Sequence, residues 1–258
     1  PCFIDCTGRA AVGLLVEAEC RMGREARAEF NESLAPEKSD AMHHGNTLSF
    51  STRLADRPVA FPDVPWATAV SRDYADLGGQ IQRPGRDNRA GPIGKDLAKS
   101  SVLTHFWEFG QWLDPYRDAE RIRDHLMRAI YGTFATVKRQ RPEAYARLEL
   151  AHISHVPATG EFRRLIGDHI LTENDIRQQR SFPDVAAVNE GHFCLHYPGG
   201  DHDFRLGDWK YEGVKPYQVP LRCLYSRNID NLMMAGKHIS VSHVAGSSTK
   251  MMLNGGQH

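Results

Sequence analysis

The chain has 258 residues, of which 41% are hydrophobic and 25% are charged, and these proportions are typical of a globular protein with a buried core. Its 32 basic and 32 acidic side chains cancel, which excludes a global charge that would draw the protein to nucleic acid or to an anionic membrane. No apolar run reaches the length of a membrane span. We therefore expect a small-molecule partner, with no nucleic acid and no membrane; composition predicts neither an oligomeric state nor a compartment.

The first part of the chain predicts short elements joined by polar turns. Residues 1–8 (PCFIDCTG) indicate a short buried strand that runs into a glycine turn. Residues 10–18 then suit a helix packed on that strand. Residues 21–34 are strongly charged, which is typical of an exposed helix or of the approach to one. Residues 46–54 alternate polar and apolar side chains, as a half-buried strand does, and residues 66–77 suit a short helix.

The middle of the chain contains its clearest helix. Asp118 is placed to cap a segment in which apolar residues recur every three to four positions. We interpret this stripe as core rather than as a cofactor-binding surface. Before it, residues 102–113 predict a strand, whereas residues 78–99, rich in Gly, Pro and charge, predict a long surface loop that is either mobile or lines a substrate entrance. The apolar stripe consists of Ile122, Leu126, Ile130, Phe134 and Val137.

Two adjacent arginines form a candidate ligand contact. Residues 161–171 are strand-like, with Arg163 and Arg164 near their start. Guanidinium groups suit a carboxylate, a phosphate or an acidic sugar, but successive residues of a strand face opposite sides, so at most one can point into a given cleft. Structural ion pairing with Glu161 or Asp168 explains the arginines equally well.

Thr172 and Asp175 have the spacing of a capping box at a helix start.

The histidines and cysteines of the next segment do not predict a metal site. His192, Cys194 and His196 share one face of a predicted strand. The two histidines lie roughly 13 Å apart on a strand, at about 3.3 Å per residue, which is too far for one ion. The five cysteines have no redox-pair spacing, and we expect them to be reduced and buried.

The last stretch of the chain predicts a ligand-binding edge. Residues 216–226 suit a strand, and the apolar run 232–235 predicts a buried strand. That run ends at Gly236, a residue that lets another backbone or a ligand come close. The polar segment 237–250 holds two histidines and two lysines and is interpreted as a reactive loop. A glycine pair at 255–256 suits a turn that opens a helix, with free N–H groups facing a ligand.

In order and spacing, residues 231–258 resemble the C-terminal flavin-contacting segment of the FAD-dependent oxidoreductase family that has the glutathione-reductase-type nucleotide fold. Shorter matches to the same family run along most of the chain, and the weakest stretch lies at about 53–101. The matching residues of the C-terminal segment are Asn231, Leu232, Ala235, Gly236, Ile239, Ser240, His243, Ala245, Ser247, Lys250 and Met251. The other matches are 3–8, 21–26, 31–36, 160–164, 167–168, 171–176 and 220–226.

The resemblance implies an α/β fold, namely a partial glutathione-reductase-type FAD-binding domain with an inserted α+β substrate domain. Residues 1–30 and 215–258 are expected to form parts of the FAD-binding domain, and residues 31–214 the substrate domain. No Gly-x-Gly-x-x-Gly follows a predicted strand, and the family carries that motif upstream of the Thr-Gly turn. We therefore interpret the chain as a fragment of a longer flavoprotein; a short chain that lost its cofactor half is the alternative.

The resemblance also implies roles for individual residues, with FAD as the cofactor. Thr7 and Gly8 are expected beside the FAD diphosphate or adenosine, although a strand-end turn without a ligand would look the same. Reduced flavin is anionic, so a helix N-terminus and a nearby cation stabilise it. The expected cofactor-binding residues are Thr7, Gly8, Ala235, Gly236, Lys237, Lys250, Gly255, Gly256 and Gln257, and no metal ligand is expected.

The expected reaction is hydride transfer between flavin and a small substrate that bears a hydroxyl or amine group. His243 and His238 are candidates for proton transfer because imidazole titrates near neutral pH, and Arg164 is a third catalytic candidate. Members of the family sometimes carry a xanthan lyase label, which favours a sugar-derived substrate. Two alternatives stay open: a carbohydrate-processing lyase or hydrolase that uses Glu161 with a histidine, and a non-catalytic remnant or binding module.

Overall fold

The computed structural model describes residues 1–48, 50–67, 108–198 and 206–258. Helices and strands are mixed along the chain, so the fold is α/β. In the described part, no helix combines the length and the apolar character needed to cross a membrane. The helices are α1 (Ala11–Leu15), α2 (Arg27–Phe30), α3 (Ala119–Gln140), α4 (Pro142–Tyr145), α5 (Glu173–Arg177), α6 (His243–Thr249) and α7 (Met252–Gly255). The strands are β1 (Phe3–Asp5), β2 (Cys20–Arg21), β3 (Asn46–Thr47), β4 (Phe50–Leu54), β5 (Glu108–Phe109), β6 (Leu148–Ile153), β7 (Ala158–Thr159), β8 (Arg164–Leu165), β9 (Val185–Pro198), β10 (Leu206–Pro220) and β11 (Leu232–Met234).

The chain divides into two compact units. The first contains Pro1–His44, Gly160–His196 and Trp209–His258, and the second contains Gly45–Thr159 and Tyr197–Asp208. Each unit has its own hydrophobic core. The predicted loop at 78–99, nearly all of the predicted helix at 66–77 and the first half of the predicted strand at 102–113 lie outside the described residues.

The division into units differs from the boundaries predicted at residues 30 and 214. Residues 31–44 and 160–196, which the prediction placed in a substrate domain, pack with the chain ends in the first unit. Side chains in these segments hold each other: the Glu173 backbone N–H donates to Glu32 Oε1 at 2.7 Å, and Ser33 Oγ donates to Glu173 Oε1 at 2.5 Å. The assignment of the segments to FAD-binding and substrate domains stays a prediction.

The first unit is organised by a parallel pair of strands from the two ends of the chain. In β1 and β11, Phe3 pairs with Leu232 and Asp5 with Met234. The strand predicted for the apolar run 232–235 is therefore present as β11. Because the strands are parallel, the chain leaves both of them at the same edge, which is where ligands bind in parallel sheets. In the same unit, β2 pairs with β8, and β9 with β10.

Residues 243–249 of the polar segment 237–250 form a buried helix, so the interpretation as a loop is wrong for this half, whereas residues 237–242 are not helical. Helix α6 begins after Ser242, whose Oγ accepts the Ala245 N–H at 3.1 Å, and all seven of its residues are buried. A Cβ atom on Gly246 would lie 3.3 Å from Val241 and 3.7 Å from Arg164. The helix therefore packs closely through small residues, and it has no polar face that would produce an amphipathic pattern.

The glycine pair ends a helix rather than opening one, so that prediction is also wrong. Gly255 is the last residue of α7, and Gly256 is its C-cap. Their N–H groups donate to Met251 and Met252 carbonyls at 2.8 and 3.1 Å, and the Gln257 N–H donates to the Asn254 carbonyl at 2.9 Å. These three N–H groups therefore form hydrogen bonds within the C-terminal end of α7.

The second unit is built on α3, a helix of 22 residues. Its predicted apolar stripe is buried in the core of this unit, which confirms the interpretation as packing. Asp118 holds the N-cap position, but its Oδ2 accepts the Asp114 N–H at 3.1 Å instead of capping the helix. The strand predicted at 46–54 is divided into β3 and β4. Strand β3 lies between β5 and β7, and β4 pairs with β6 across a register shift at Ser51/Thr52.

Local predictions in the other segments succeed to different degrees. The capping box of Thr172 and Asp175 is confirmed at α5. The strand predicted at 161–171 is reduced to β8, because N–H groups of this segment donate to different parts of the fold: Leu165 to the His238 carbonyl, Ile166 to that of Glu19 and His169 to that of Arg222. All five cysteines are free, as expected, but three of them are exposed rather than buried. The exposed cysteines are Cys2, Cys6 and Cys20.

Candidate functional site

The carboxyl ends of β1 and β11 form a corner, which we call the strand corner and define as residues 5–8 and 235–238. Asp5, at the end of β1, is buried and organises the first of these turns. Its Oδ1 accepts the Thr7 N–H and hydroxyl at 2.9 and 2.7 Å, and its Oδ2 accepts the Gly13 N–H at 2.9 Å. Burial by itself would raise the pKa of Asp5, but these hydrogen bonds hold it below its ordinary value.

Two glycines give the strand corner its shape. Gly8 and Gly236 have φ angles of +72° and +83°, in the left-handed region that favours glycine. A Cβ atom on Gly8 would lie 3.3 Å from Lys237 Cε, so the two turns touch. A Cβ atom on Gly236 would meet nothing within 4 Å in the described part of the chain. The side of Gly236 on which a side chain would lie is therefore open to a closely approaching ligand.

The remaining predicted contacts surround the same corner. The Ala235 N–H donates to the Asp5 carbonyl at 3.0 Å, and a Cβ atom on Gly255 would lie 3.8 Å from Gly236 Cα. Gly256 and Gln257 are exposed. Thr7 is exposed too, but its hydroxyl also accepts the Ala11 N–H at 2.8 Å and so serves the turn.

Lys237 brings a cation to the corner. The side chain is half-buried, and burial lowers the pKa of its ammonium group, with a further contribution from the positive charge of Arg9. Glu161 opposes this shift, which places Lys237 within electrostatic range of that carboxylate. The corner therefore combines an open backbone with positive charge.

His238 ties the two strand ends together. It is fully buried, and its Nε2 lies 3.0 Å from the Asp5 carbonyl oxygen and 3.4 Å from Asp5 Oδ1. Burial lowers the pKa of the imidazole, although Asp5 opposes the shift. Since a carbonyl oxygen can only accept, Nε2 carries the proton. These contacts differ from the predicted proton-transfer role, because the donor nitrogen is used within the fold.

A second group of charged residues surrounds α6, and we call Glu161, His243 and Lys250 the α6 cluster. Glu161 Oε1 lies 3.2 Å from His243 Nδ1, and Oε2 lies 3.3 Å from Lys250 Nζ. Glu161 is only 1% exposed. Burial would raise its pKa, but Lys250 and then His243 hold the pKa well below the ordinary value. Glu161 is therefore a buried carboxylate anion beside a lysine cation.

His243 is neutral in this arrangement. The side chain is buried, and burial lowers the pKa of the imidazole although Glu161 opposes the shift. His243 Nδ1 lies 3.2 Å from Glu161 Oε1, and a neutral ring that carries its proton on Nδ1 has Nε2 as its basic nitrogen. The backbone N–H of His243, at the start of α6, donates to Glu25 Oε2 at 2.8 Å, so a carboxylate stabilises this helix N-terminus.

Arg164 lies behind the cluster as a structural cation. Its guanidinium group is completely buried, donating to the Val241 and Gly23 carbonyls at 3.1 and 2.9 Å and to Glu25 Oε1 at 2.8 Å. These bonds to two other segments correspond to the ion-pairing alternative, although with Glu25 as the partner, and the ligand contact of Arg164 stays a prediction. Arg163 is also buried, and its guanidinium lies over the Phe162 ring at 4.5 Å.

Comparison with known protein families assigns the chain to one of them. The family model described as FAD dependent oxidoreductase matches residues 1–255. The chain belongs to the FAD-dependent oxidoreductase family. No curated protein and no solved structure gives a significant match. The protein is therefore an FAD-dependent oxidoreductase, and FAD is its cofactor.

The strand corner of this FAD-dependent oxidoreductase has the features that a dinucleotide requires. The open face of Gly236 allows a flat or anionic group to reach the backbone, and Gly8 keeps the opposite turn free of a side chain. The positive charge of Lys237 suits a phosphate or a reduced flavin as its neighbour. The residues present therefore fit the cofactor of the family.

Sequence reasoning missed three acidic residues of this oxidoreductase. Asp5, Glu25 and Glu32 are buried, whereas the charged segment 21–34 was interpreted as solvent-exposed. The family matches at 21–26 and 31–36 were the available signal, since they include both glutamates. Charge alone could not reveal the two glutamates, because their partners lie far away in the chain.

Titration of the buried carboxylate of Glu32 should change the free energy of unfolding with pH. Its Oε1 accepts the Glu173 N–H at 2.7 Å and the Ser242 hydroxyl at 2.5 Å. Burial raises the pKa of Glu32 from 4.5 to about 7, and the negative charges of Glu25 and Glu173 add to the shift. The folded state therefore holds this proton up to about pH 7, whereas the unfolded chain releases it near pH 4.5.

We expect the free energy of unfolding to fall as pH rises through this window, with Glu32 contributing about 3 kcal/mol to the decrease at ~1.4 kcal/mol per pKa unit. Glu32→Gln should remove that contribution, which urea denaturation at about pH 5 and about pH 8 would measure. Glu29→Gln changes an exposed carboxylate in the same segment and should keep the decrease. Equal slopes for wild type and Glu32→Gln would contradict the prediction.

Proposed function

We propose that this chain contributes the flavin-binding edge and a proton-accepting group to an enzyme that transfers hydride from a small hydroxyl- or amine-bearing substrate to FAD. A sugar-derived substrate is the preferred candidate within that class. The observation that carries the proposal is the parallel pairing of β1 with β11, which brings Gly8 within contact distance of Lys237. This arrangement suits a glutathione-reductase-type FAD-binding domain with an inserted substrate domain.

In this proposal the strand corner holds the cofactor. Gly8, Ala235 and Gly236 present backbone to FAD, and Lys237 balances its negative charge. Thr7 shapes the turn beside Gly8 through its bonds to Asp5 and Ala11. Behind the corner, the end of α7 and the ammonium of Lys250 complete the site. The residues at the end of α7 are Gly255, Gly256 and Gln257.

FAD supplies the electron-pair acceptor, and the protein must manage the proton that the substrate loses. We assign that proton to His243 Nε2, because Glu161 orients the ring from the Nδ1 side at 3.2 Å. The lowered pKa of His243 keeps the ring in its basic form through neutral pH. His238 and Arg164 act as positioning residues, since their nitrogen atoms donate to backbone carbonyls of the fold.

A lyase or hydrolase that uses Glu161 with a histidine is the alternative closest to this geometry. A hydrolase of this kind needs a carboxylic acid that keeps its proton near neutral pH in order to protonate the leaving group. Glu161 has the opposite property, because its pKa is held well below the ordinary value. The same contact therefore favours an orienting role for Glu161. The other alternative is a non-catalytic module, which would either bind FAD without turning over a substrate or bind no FAD.

The proposal is tested with the FAD-bound protein under anaerobic conditions. We expect substrates that bear hydroxyl or amine groups, sugars among them, to bleach the visible flavin absorbance. His243→Asn should lower the rate of flavin reduction by about 100-fold or more, in the range of general-base catalysis, with little change in FAD affinity. In the wild type, the rate should fall at acid pH, where His243 becomes protonated. Because the pKa of His243 is lowered from 6.5, this fall should lie below about pH 6.5, and His243→Asn should remove it.

His238→Asn is the matched control, since His238 is a buried imidazole in the same segment. It should reduce stability and leave the pH profile of flavin reduction unchanged. A protein that binds no FAD, or that binds FAD but is reduced by no member of the substrate panel, would overturn the proposed function. An unchanged rate in His243→Asn would overturn the role of His243 alone.

A further inference from the structure

A cysteine and a histidine on β9 form a pair that the hydride-transfer reaction does not use. Cys194 and His196 are two residues apart on a strand, so their side chains lie on the same face. Cys194 Sγ is 2.9 Å from His196 Nε2. The imidazole is 8% exposed, whereas the cysteine is only half-buried. A nearly enclosed base therefore contacts a thiol that small molecules can reach.

The pair is held in place from several sides. The Cys194 N–H donates to Ser247 Oγ at 3.2 Å, and the Cys194 carbonyl accepts the Lys250 ammonium at 2.9 Å. The His196 ring lies 4.5 Å from the ring of His44. Lys250 also contacts Glu161 in the α6 cluster. The position of the thiol is therefore determined by two elements, and a cation lies beside its backbone.

We propose that Cys194 is a redox-sensitive thiol that hydrogen peroxide oxidises to a sulfenic acid, with His196 as its base. The thiolate, and not the thiol, is the nucleophile in this reaction. The thiol proton moves to His196 Nε2, and the sulfur attacks one oxygen of the peroxide. The S–O bond forms as the O–O bond breaks, and the departing hydroxide takes the proton and leaves as water. Sulfur loses two electrons and the peroxide gains them.

The other cysteines provide internal comparisons. Cys2, Cys6 and Cys20 are exposed, and among the described residues none of their thiols is hydrogen-bonded to a histidine. Cys223 is fully buried, and burial raises its pKa to about 12, which disfavours reaction. If exposure decided reactivity, the three exposed cysteines would be oxidised first. If the pairing with His196 decides it, Cys194 is oxidised first although it is less exposed.

The experiment treats the FAD-bound protein with limiting hydrogen peroxide in the presence of dimedone, which traps sulfenic acids, and follows each cysteine by peptide mass spectrometry. We expect Cys194 to be labelled first, at least about 10-fold faster than the exposed cysteines. His196→Gln should lower the labelling rate of Cys194 by about the same factor. His192→Gln is the matched control, because His192 lies on the same strand two residues before Cys194 and stacks on Tyr211 at 4.0 Å.

The comparison between cysteines needs only the wild-type protein, so it stays decisive if His196→Gln does not fold. Faster labelling of Cys2, Cys6 or Cys20 than of Cys194 would overturn the proposal, and so would an unchanged rate in a folded His196→Gln. The result does not depend on hydride transfer, because the added peroxide is the oxidant. An inactive protein could therefore still show the predicted labelling.

Discussion

Gly236→Ala should weaken FAD binding by at least about tenfold, or ~1.4 kcal/mol, while the protein stays folded. The reason is the position of the missing side chain. A Cβ atom at residue 236 would extend into the open space of the strand corner, where no described atom lies within 4 Å. Within the protein the methyl group therefore meets no obstacle. Against a cofactor bound in that space, it would occupy the position of closest approach.

The substitution also strains the backbone, because φ is +83° and a left-handed residue with a Cβ atom costs roughly 1–2 kcal/mol. Gly191→Ala separates this strain from cofactor contact. Gly191 has φ of +120°, and a Cβ atom there would meet Met251 Sδ at an ordinary 3.6 Å. Both variants should lose similar stability in thermal melts without FAD, but only Gly236→Ala should lose affinity in a titration followed by flavin fluorescence. Equal FAD affinities in the two variants would contradict the proposal that FAD binds at the strand corner.

Lys250→Met should be the most destabilising substitution in the α6 cluster, with a loss of about 3 kcal/mol or more in the free energy of unfolding near neutral pH. Removing one partner of a buried ion pair leaves the other charge without compensation, which typically costs 3–5 kcal/mol. Glu161 would be that charge, because it is 1% exposed and its Oε2 lies 3.3 Å from Lys250 Nζ. His243, which is neutral, cannot replace the cation.

Neutralising both partners should restore much of this loss. The double variant Glu161→Gln/Lys250→Met leaves no buried charge at this position, so its stability should exceed that of Lys250→Met alone. The pKa of Glu161 is depressed in the wild type, so the pair stabilises the fold above the unfolded pKa of about 4.5 and loses this effect as pH falls through the folded pKa. The deficit of Lys250→Met should therefore shrink in acid.

Urea denaturation of the single and double variants measures both effects. Lys215→Met is the control, since Lys215 is an exposed lysine of the same unit and should change stability by less than about 0.5 kcal/mol. A double variant no more stable than Lys250→Met would contradict the assignment of Glu161 as the uncompensated charge.

Features whose physical cause is local were predictable from sequence. The apolar stripe of α3 follows helical periodicity, and the capping box of Thr172 and Asp175 needs only residues three positions apart. The strand at β11 was also predicted, because an apolar run that stops at a glycine is a local signal. At the candidate site, the same local pattern and the family resemblance identified Gly8, Gly236 and Lys237, which the structure brings together.

Features whose cause is a distant partner were decided only by tertiary structure. Helix α6 has no amphipathic pattern because the fold buries it on every side. Arg164 became a buried cation because Glu25, 139 positions away, lies beside it. Sequence determined which residues could form strands, glycine turns and charges. The fold decided which charges were enclosed and paired, because a pKa and an ion pair depend on neighbours in space, and these neighbours come from opposite ends of the chain.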